Sequence, residues 1–141
     1  MAWVLIVDDD EPIRESLQDA LRDAGYAIVK VADGEDALDV LRATPYHAVV
    51  LLDLMMPGMN GRSVLHILDN DPALAHRHAW IVMSADHAGL GRIPEDQRER
   101  LALILIKKPF DMEELLATVA QQAERLPVDT PEHSRTSTNI G

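Results

Sequence analysis

The 141-residue sequence has no cysteine, few basic residues and no long apolar run. The lack of cysteine excludes disulfides and thiolate metal sites. No apolar run approaches the roughly 20 residues that span a bilayer, and no basic segment precedes the first apolar run, so neither a membrane span nor a secretory signal is predicted. The net charge of −11 argues against direct nucleic-acid binding. A single globular domain in the cytoplasm is therefore expected.

Short apolar runs alternate with segments of helical periodicity along the chain. Strands are predicted at residues 2–7, 27–31, 48–52, 80–83 and 103–106. Helices are predicted at residues 12–24, 35–43, 62–69 and 111–126, with the third helix broken at Asn70-Asp71-Pro72. Residues 86–101 are irregular, and a single short helix is expected there after Pro94. Five strands alternating with five helices predict a three-layer α/β protein, with a parallel sheet between two helical layers.

The central stretch of the sequence is Leu51-Leu52-Asp53-Leu54-Met55-Met56-Pro57-Gly58. The apolar run that enters it is typical of a strand buried on both faces. Asp53 then lies at the carboxyl end of this strand, where open α/β sheets bind their ligands. Taken alone, Asp53 is equally well explained as a turn or helix-cap residue. The two interpretations are separated by whether other functional groups meet at the same edge.

Four of the five predicted strands end in polar residues, namely Asp8 and Asp9, Asp53, Ser84 and Lys108. Each has an ordinary explanation by itself, as a cap, a strand end or a surface charge, but together they favour a binding site. Three carboxylates in one crevice suit a hard divalent ion, Mg²⁺ or alternatively Mn²⁺. Lys108 and Ser84 offer a point charge and a hydroxyl to phosphoryl oxygens. Asp53 is then the candidate nucleophile, forming an aspartyl phosphate.

The segment Leu5-Ile6-Val7-Asp8-Asp9-Asp10-Glu11-Pro12-Ile13-Arg14 resembles the opening of a bacterial response-regulator receiver domain. The later motifs of that family are matched, in order, by Ala32-Asp33-Gly34-Glu35-Asp36-Ala37-Leu38, by residues 53–61, by Ser84-Ala85 and by Lys108-Pro109-Phe110. The resemblance extends over residues 2–125. It implies a doubly wound, flavodoxin-like sheet with strand order 2-1-3-4-5.

The resemblance also implies roles for the site residues. Asp53 would accept a phosphoryl group from a sensor histidine kinase or a histidine phosphotransfer protein, with enzymatic activity limited to self-phosphorylation from a phosphodonor and slow autodephosphorylation. Asp9, Asp53 and the Met55 carbonyl would ligate Mg²⁺, and Asp8 would act largely through water. Ser84 and Lys108 would bind the phosphoryl group. A cis Lys108–Pro109 bond is implied by the family alone.

Two features depart from the family pattern. Leu105 occupies the switch position, three residues before Lys108, where receivers often carry an aromatic ring. The irregular segment at residues 86–101 replaces the usual fourth helix, which helps to form the output surface. The family also implies that Met55 and Asp86 influence dephosphorylation, and we hypothesise that apolar Met55 gives a long-lived phosphoprotein. Phosphorylation is thus expected, while the manner of signalling is open.

No effector domain follows the receiver segment, residues 1–126, so a stand-alone receiver that docks on a downstream protein is expected, although an excised receiver would have the same sequence. Residues 127–141 are polar and aperiodic, which predicts a disordered tail. A homodimer through the fourth helix, fifth strand and fifth helix is a further assembly that the resemblance implies. His76-Arg77-His78 is predicted to lie in a solvated loop.

Three other functions compete with the receiver hypothesis. An aspartate-nucleophile phosphatase would carry a second Asp two residues after the nucleophile, where this chain has Met55. A dinucleotide-binding protein would carry G-x-G-x-x-G after its first strand, and that motif is absent. A phosphorylation-independent interaction module is compatible with Leu105 and the irregular segment, but the presence of all five site residues argues against it.

Overall fold

The computed structural model of the protein describes residues 3–56 and 58–127. The strands are β1 (Trp3–Val7), β2 (Ala27–Val31), β3 (Ala48–Asp53), β4 (Ala79–Ser84) and β5 (Ile104–Lys107). The helices are α1 (Glu11–Asp23), α2 (Gly34–Ala43), α3 (Gly61–Asp69), α4 (Pro72–Arg77), α5 (His87–Gly91), α6 (Glu95–Arg100) and α7 (Met112–Glu124). Most of the predicted tail, residues 128–141, lies outside the described residues.

The five strands form one parallel sheet in the order β2-β1-β3-β4-β5. Every residue of β3 and β4 is buried, as their near-continuous apolar sequences require of central strands covered on both faces. The edge strands β2 and β5 have no fully buried residue. The predicted three-layer fold and strand order are confirmed.

Apolar helix faces cover the sheet on both sides. Leu17 and Leu21 of α1 pack with Leu115 and Val119 of α7 in one buried cluster. A second buried cluster lies on the other side of the sheet. It contains residues of α2 to α5, residues of the segment that follows α6, and the strand residues whose side chains face this side. Because successive strand residues alternate between faces, β3 contributes Val49 and Leu51 to one core and its even-numbered residues to the other.

Between β3 and β4, one prediction is confirmed and extended and another is wrong. Helix α3 ends at Asp69, as the break predicted at Asn70-Asp71-Pro72 requires, but a helix that was not predicted starts there: the Asp71 side chain accepts a hydrogen bond from the Leu74 amide and Pro72 begins α4. Proline suits this position because the first helical residues need no amide hydrogen bond. The prediction of a solvated loop at His76-Arg77-His78 is wrong. His76 and Arg77 end α4, and His78 is buried, its Nδ1 accepting from the Ala48 amide at 3.0 Å.

The segment between β4 and β5 is more regular than expected. It contains two short helices, α5 and α6, rather than the single short helix predicted after Pro94. Asp86 caps α5 by accepting from the Gly89 amide at 2.9 Å. The described part of the chain therefore has seven helices rather than five. None of them is long and apolar enough to cross a membrane.

Candidate functional site

The strand register brings the predicted site residues to one edge of the sheet. Val7 pairs with Leu52, so the residues that follow them, Asp8 and Asp53, meet at the carboxyl edge. On the other side of β3, Ser84 ends β4 beside Lys107, the residue before Lys108. Asp8, Asp53 and Ser84 are buried, and Lys108 is largely buried. The shared edge expected from parallel strands is thus formed by these residues.

Three carboxylates lie close together at this edge. One oxygen from each of Asp8, Asp9 and Asp53 falls within a group whose members are all within 4.8 Å of one another. Asp8 and Asp53 are buried, whereas Asp9 is exposed to solvent. A compact set of carboxylate oxygens, open on one side, matches the donor preference of Mg²⁺, which binds a few carboxylates and keeps several waters. The residues present therefore fit a hard divalent cation.

Lys108 lies between the two buried carboxylates. Its Nζ is 2.6 Å from Asp8 Oδ2 and 3.4 Å from Asp53 Oδ2. Burial acts to lower the pKa of Lys108, but the hydrogen bond to Asp8 and the charges of both carboxylates outweigh it and hold that pKa above its usual range. The ammonium group is therefore charged at neutral pH. Sequence reasoning expected Lys108 at this edge but not its close pairing with Asp8.

The surroundings of Asp53 disfavour its ionised form. Burial raises its pKa to about 6, and the neighbouring Asp8 charge adds to this, while the Met55 amide and Lys108 act in the opposite direction. A carboxyl group with this pKa is still mostly ionised at neutral pH. Asp53 is thus available as a carboxylate nucleophile or ligand, at a cost to the folded state.

Backbone amides fix the side chains of the site. The Asp10 amide donates to Asp8 Oδ1 at 3.0 Å, and the Met55 amide donates to Asp53 Oδ1 at 3.1 Å. The Asp86 amide donates in the same way to Ser84 Oγ at 3.0 Å. Each amide lies two residues after its acceptor, which is the Asx-turn or Ser-turn pattern of short polar side chains. The loops that follow the strands therefore hold the functional groups in place.

Two supporting residues were missed by sequence reasoning. Arg14 donates from Nη1 to the Asp8 carbonyl at 2.6 Å, and His87 Nε2 lies 2.8 Å from the Lys108 carbonyl. Arg14 carried a usable signal, since it is a basic residue in the first turn of the helix that follows four consecutive acidic residues, 8–11. His87 carried none, because its contact spans 21 residues of sequence. Both residues reach main-chain atoms of the site rather than its reactive groups.

Two other positions named in the sequence analysis, Met55 and the switch position Leu105, have different environments. Met55 is 53% exposed beside the site. Leu105 is half-buried and packs against the apolar cluster on the α2–α5 side of the sheet. The Lys108–Pro109 peptide bond is cis, as the resemblance implied.

The model of the response regulator receiver domain family matches residues 4–120. This chain belongs to that family. Among curated relatives, the receiver is 34% identical over 122 residues to the response regulator protein FleR of Pseudomonas aeruginosa, covering 86% of this chain and 24% of the relative. It is 35% identical over 129 residues to the response regulator MprA of Mycolicibacterium vanbaalenii, covering 89% of this chain and 52% of the relative. The receiver thus spans about a quarter of the length of the first relative and about half of the length of the second.

Solved structures of receiver domains have the same fold. A CheY-like receiver domain protein from Methanospirillum hungatei is 33% identical, with a TM-score of 0.71, and the match covers 84% of this chain and 90% of that one. The response regulator TrrA of Thermotoga maritima, in complex with Mg²⁺-BeF, is 28% identical with a TM-score of 0.71, covering 86% of this chain and 99% of that one. The receiver is therefore a domain of the kind found in two-component systems.

Proposed function

We propose that Asp53 of this receiver accepts a phosphoryl group from a phosphohistidine donor and that the phosphorylated domain signals by docking on another protein. The observation that carries the proposal is the buried Asp53 carboxylate, with Lys108 Nζ at 3.4 Å, at the carboxyl edge of a receiver fold. In the transfer, the N–P bond of the donor breaks, an O–P bond to Asp53 forms, and the released imidazole takes up a proton.

The chain's own residues prepare this transfer. The Met55 amide holds one oxygen of the Asp53 carboxylate, which fixes the orientation of the nucleophile. Lys108 supplies a positive charge beside the other oxygen, where the phosphoryl oxygens would lie. The Ser84 oxygen accepts from the Asp86 amide, so its own hydrogen remains free to donate to a phosphoryl oxygen.

A divalent cation completes the proposed site. Asp9, Asp53 and the Met55 main-chain carbonyl would hold Mg²⁺, or alternatively Mn²⁺, with Asp8 acting largely through water. Bound there, the ion would offset the negative charge of the phosphoryl oxygens. The compact carboxylate cluster supports this assignment, as does the Mg²⁺-BeF complex of the Thermotoga maritima relative.

The proposed partners are a sensor histidine kinase or histidine phosphotransfer protein, which would supply the phosphoryl group, and a downstream protein. A groove of about 460 Å³ opens beside Lys108 between α1 and the loop that precedes α7. Its lining is mainly apolar and includes Ile13, Leu17 and Phe110. A protein donor must lie over this edge to reach Asp53, so the groove supplies apolar contact surface where the donor would dock.

Intact-mass analysis after incubation with Mg²⁺ and acetyl phosphate tests the proposal. The parent protein should gain one phosphoryl group, Asp53→Asn should gain none, and chelation with EDTA should prevent labelling of the parent. Asp10→Asn is the matched control, because Asp10 is a neighbouring exposed carboxylate outside the cluster. Failure of the parent to be labelled would favour the phosphorylation-independent interaction module, and labelling of Asp53→Asn would refute the assignment to Asp53.

A further inference from the structure

Two main-chain atoms of Lys108 contact the residues on either side of the loop that connects β4 to α5. Its amide donates to the Ser84 carbonyl at 2.9 Å, and its carbonyl lies 2.8 Å from His87 Nε2. A carbonyl only accepts, so the imidazole must donate from Nε2. His87 is the first residue of α5. One hydrogen bond therefore joins the residue that contacts Asp8 and Asp53 to the start of the next helix.

Helix α5 is five residues long, so its position depends on contacts outside itself. On one side, Arg62 of α3 donates from Nη2 to the Gly89 carbonyl at 2.7 Å. On the sheet side, Leu90 is buried in the apolar cluster. Two contacts lead back from α5 to the phosphoryl-binding edge. The amide of Asp86, which caps the helix, donates to Ser84 Oγ, and the His87 side chain contacts the Lys108 carbonyl. The contact of His87 is the one that reaches Lys108. A displacement of the Lys108 main chain would thus reach α5 through His87.

The usual aromatic switch residue is replaced by Leu105, which cannot offer a ring that changes place. Leu105 packs instead against the cluster that contains Leu90 and Ile93, the residues that anchor α5 and the turn after it. It can follow a movement of α5 by repacking, but as an aliphatic side chain it makes no directional bond to the site. His87 makes such a bond.

We propose that His87 is a positioning residue that transmits a change at Lys108 to α5 and the surface around it. The inference rests on the proposed function, since the change at Lys108 is the arrival of a phosphoryl group on Asp53. The new anion competes with Asp8 for the Lys108 ammonium group. The resulting shift of the Lys108 main chain is passed through the carbonyl and the imidazole to the first turn of α5.

Backbone amide NMR of the full chain, with Mg²⁺ and beryllofluoride as the probe, tests this inference. In the parent protein, the probe should shift the amides near Asp53 and those of α5. In His87→Ala, the shifts near Asp53 should persist, because the imidazole touches no reactive group, while those of Leu90 and Ile93 should fall to less than half. His87→Gln should restore them, since a glutamine amide can donate to the same carbonyl. His66→Ala, an exposed histidine of α3, is the control.

The outcomes separate the two proposals. If beryllofluoride shifts no amides of the parent protein, the proposed phosphoryl site fails. If it binds the parent but His87→Ala keeps the full shifts of α5, the transmission role of His87 is overturned. A purely structural role would lower the thermal stability of His87→Ala without reducing the response of α5, and that result would also contradict the inference.

Discussion

At the residue scale, Asp53 combines two demands that oppose each other. As the proposed phosphoryl acceptor Asp53 must be ionised, yet its burial, together with the charge of the equally buried Asp8, raises its pKa to about 6. Lys108 offsets the charge of both carboxylates but is shared between them, closer to Asp8 than to Asp53. The uncompensated part of the charge destabilises the folded state, as is common where a site is organised for function rather than stability.

This cost predicts a stability difference that depends on pH. The folded-state pKa of Asp53 is raised from 3.8 to about 6, so the folded protein binds this proton more tightly than the unfolded chain does. The contribution of Asp53 to the stability of the parent therefore falls as pH rises through this interval, by an amount on the order of 3 kcal/mol. Asp53→Asn lacks the penalty, and without metal its Tm should exceed that of the parent by several degrees above about pH 7 and by much less near pH 4.5. A difference in Tm between the two proteins, measured by circular dichroism, that did not change with pH would contradict the assignment.

The side chain of Met55 leads to a prediction about the lifetime of the proposed phosphorylated form. Met55 is 53% exposed beside Asp53, and its thioether offers an attacking water no hydrogen bond of useful strength. In Met55→Asn, the side-chain amide can hold that water, so phosphate release should be several-fold faster. The fold should tolerate the change because the side chain is exposed. Met55→Leu keeps an apolar group of similar size and should match the parent. Phosphate loss that is unchanged or slower in Met55→Asn would count against this role.

At the scale of elements, the strands, the long helices and the short helix after Pro94 were predictable, whereas the short helices α4 and α5 were not. Apolar runs of five or six residues fixed β1, β3 and β4, and their parallel arrangement placed Asp8, Asp53 and Ser84 at one edge. Helices α4 and α5 are too short for apolar periodicity to be diagnostic. Only cap residues mark them, and Asp71-Pro72 indicates the start of a helix as readily as a break.

The contacts between the site residues were less predictable than which residues form the site. Nothing in the local sequence indicates that Lys108 lies closer to Asp8 than to Asp53, because the pair is 100 residues apart. The contact of His87 with the Lys108 carbonyl depends in the same way on how two loops meet. Sequence pattern therefore predicted which residues share the edge, whereas their pairing follows from tertiary packing.

The junction of α3 with the end of β3 gives a prediction at this scale. At Gly61, a Cβ atom would lie 2.5 Å from the Asp53 carbonyl oxygen and 2.7 Å from Leu54 Cα. Both are main-chain atoms that cannot turn aside, so Gly61→Ala should lower the free energy of unfolding by about 1–3 kcal/mol. Gly91→Ala is the control, because its Cβ would meet nothing within 4 Å. Equal stability of the two variants in urea denaturation would show that α3 can move away from β3 at little cost.

At the scale of the whole molecule, acidic charge dominates. The chain carries a net charge of −11, and its buried carboxylates concentrate part of that charge at the functional edge. A cation that binds only the folded state stabilises it in proportion to the logarithm of its concentration. The proposed Mg²⁺ site therefore couples global stability to free metal, and this coupling can be measured without any partner or phosphodonor.

Thermal unfolding in a Mg²⁺ titration makes that coupling testable. Above its dissociation constant, each tenfold increase in free Mg²⁺ should add about 1.4 kcal/mol to the stability of the parent, so the Tm should keep rising. Asp9→Asn removes an exposed member of the carboxylate cluster, so its metal-free Tm should be close to that of the parent while most of the response to Mg²⁺ is lost. Asp10→Asn removes the adjacent charge but keeps the N-cap of α1, because asparagine caps as well as aspartate. It should respond to Mg²⁺ like the parent. If Asp9→Asn and Asp10→Asn responded alike, stabilisation by Mg²⁺ would reflect general screening of the acidic surface rather than an ion held by the cluster.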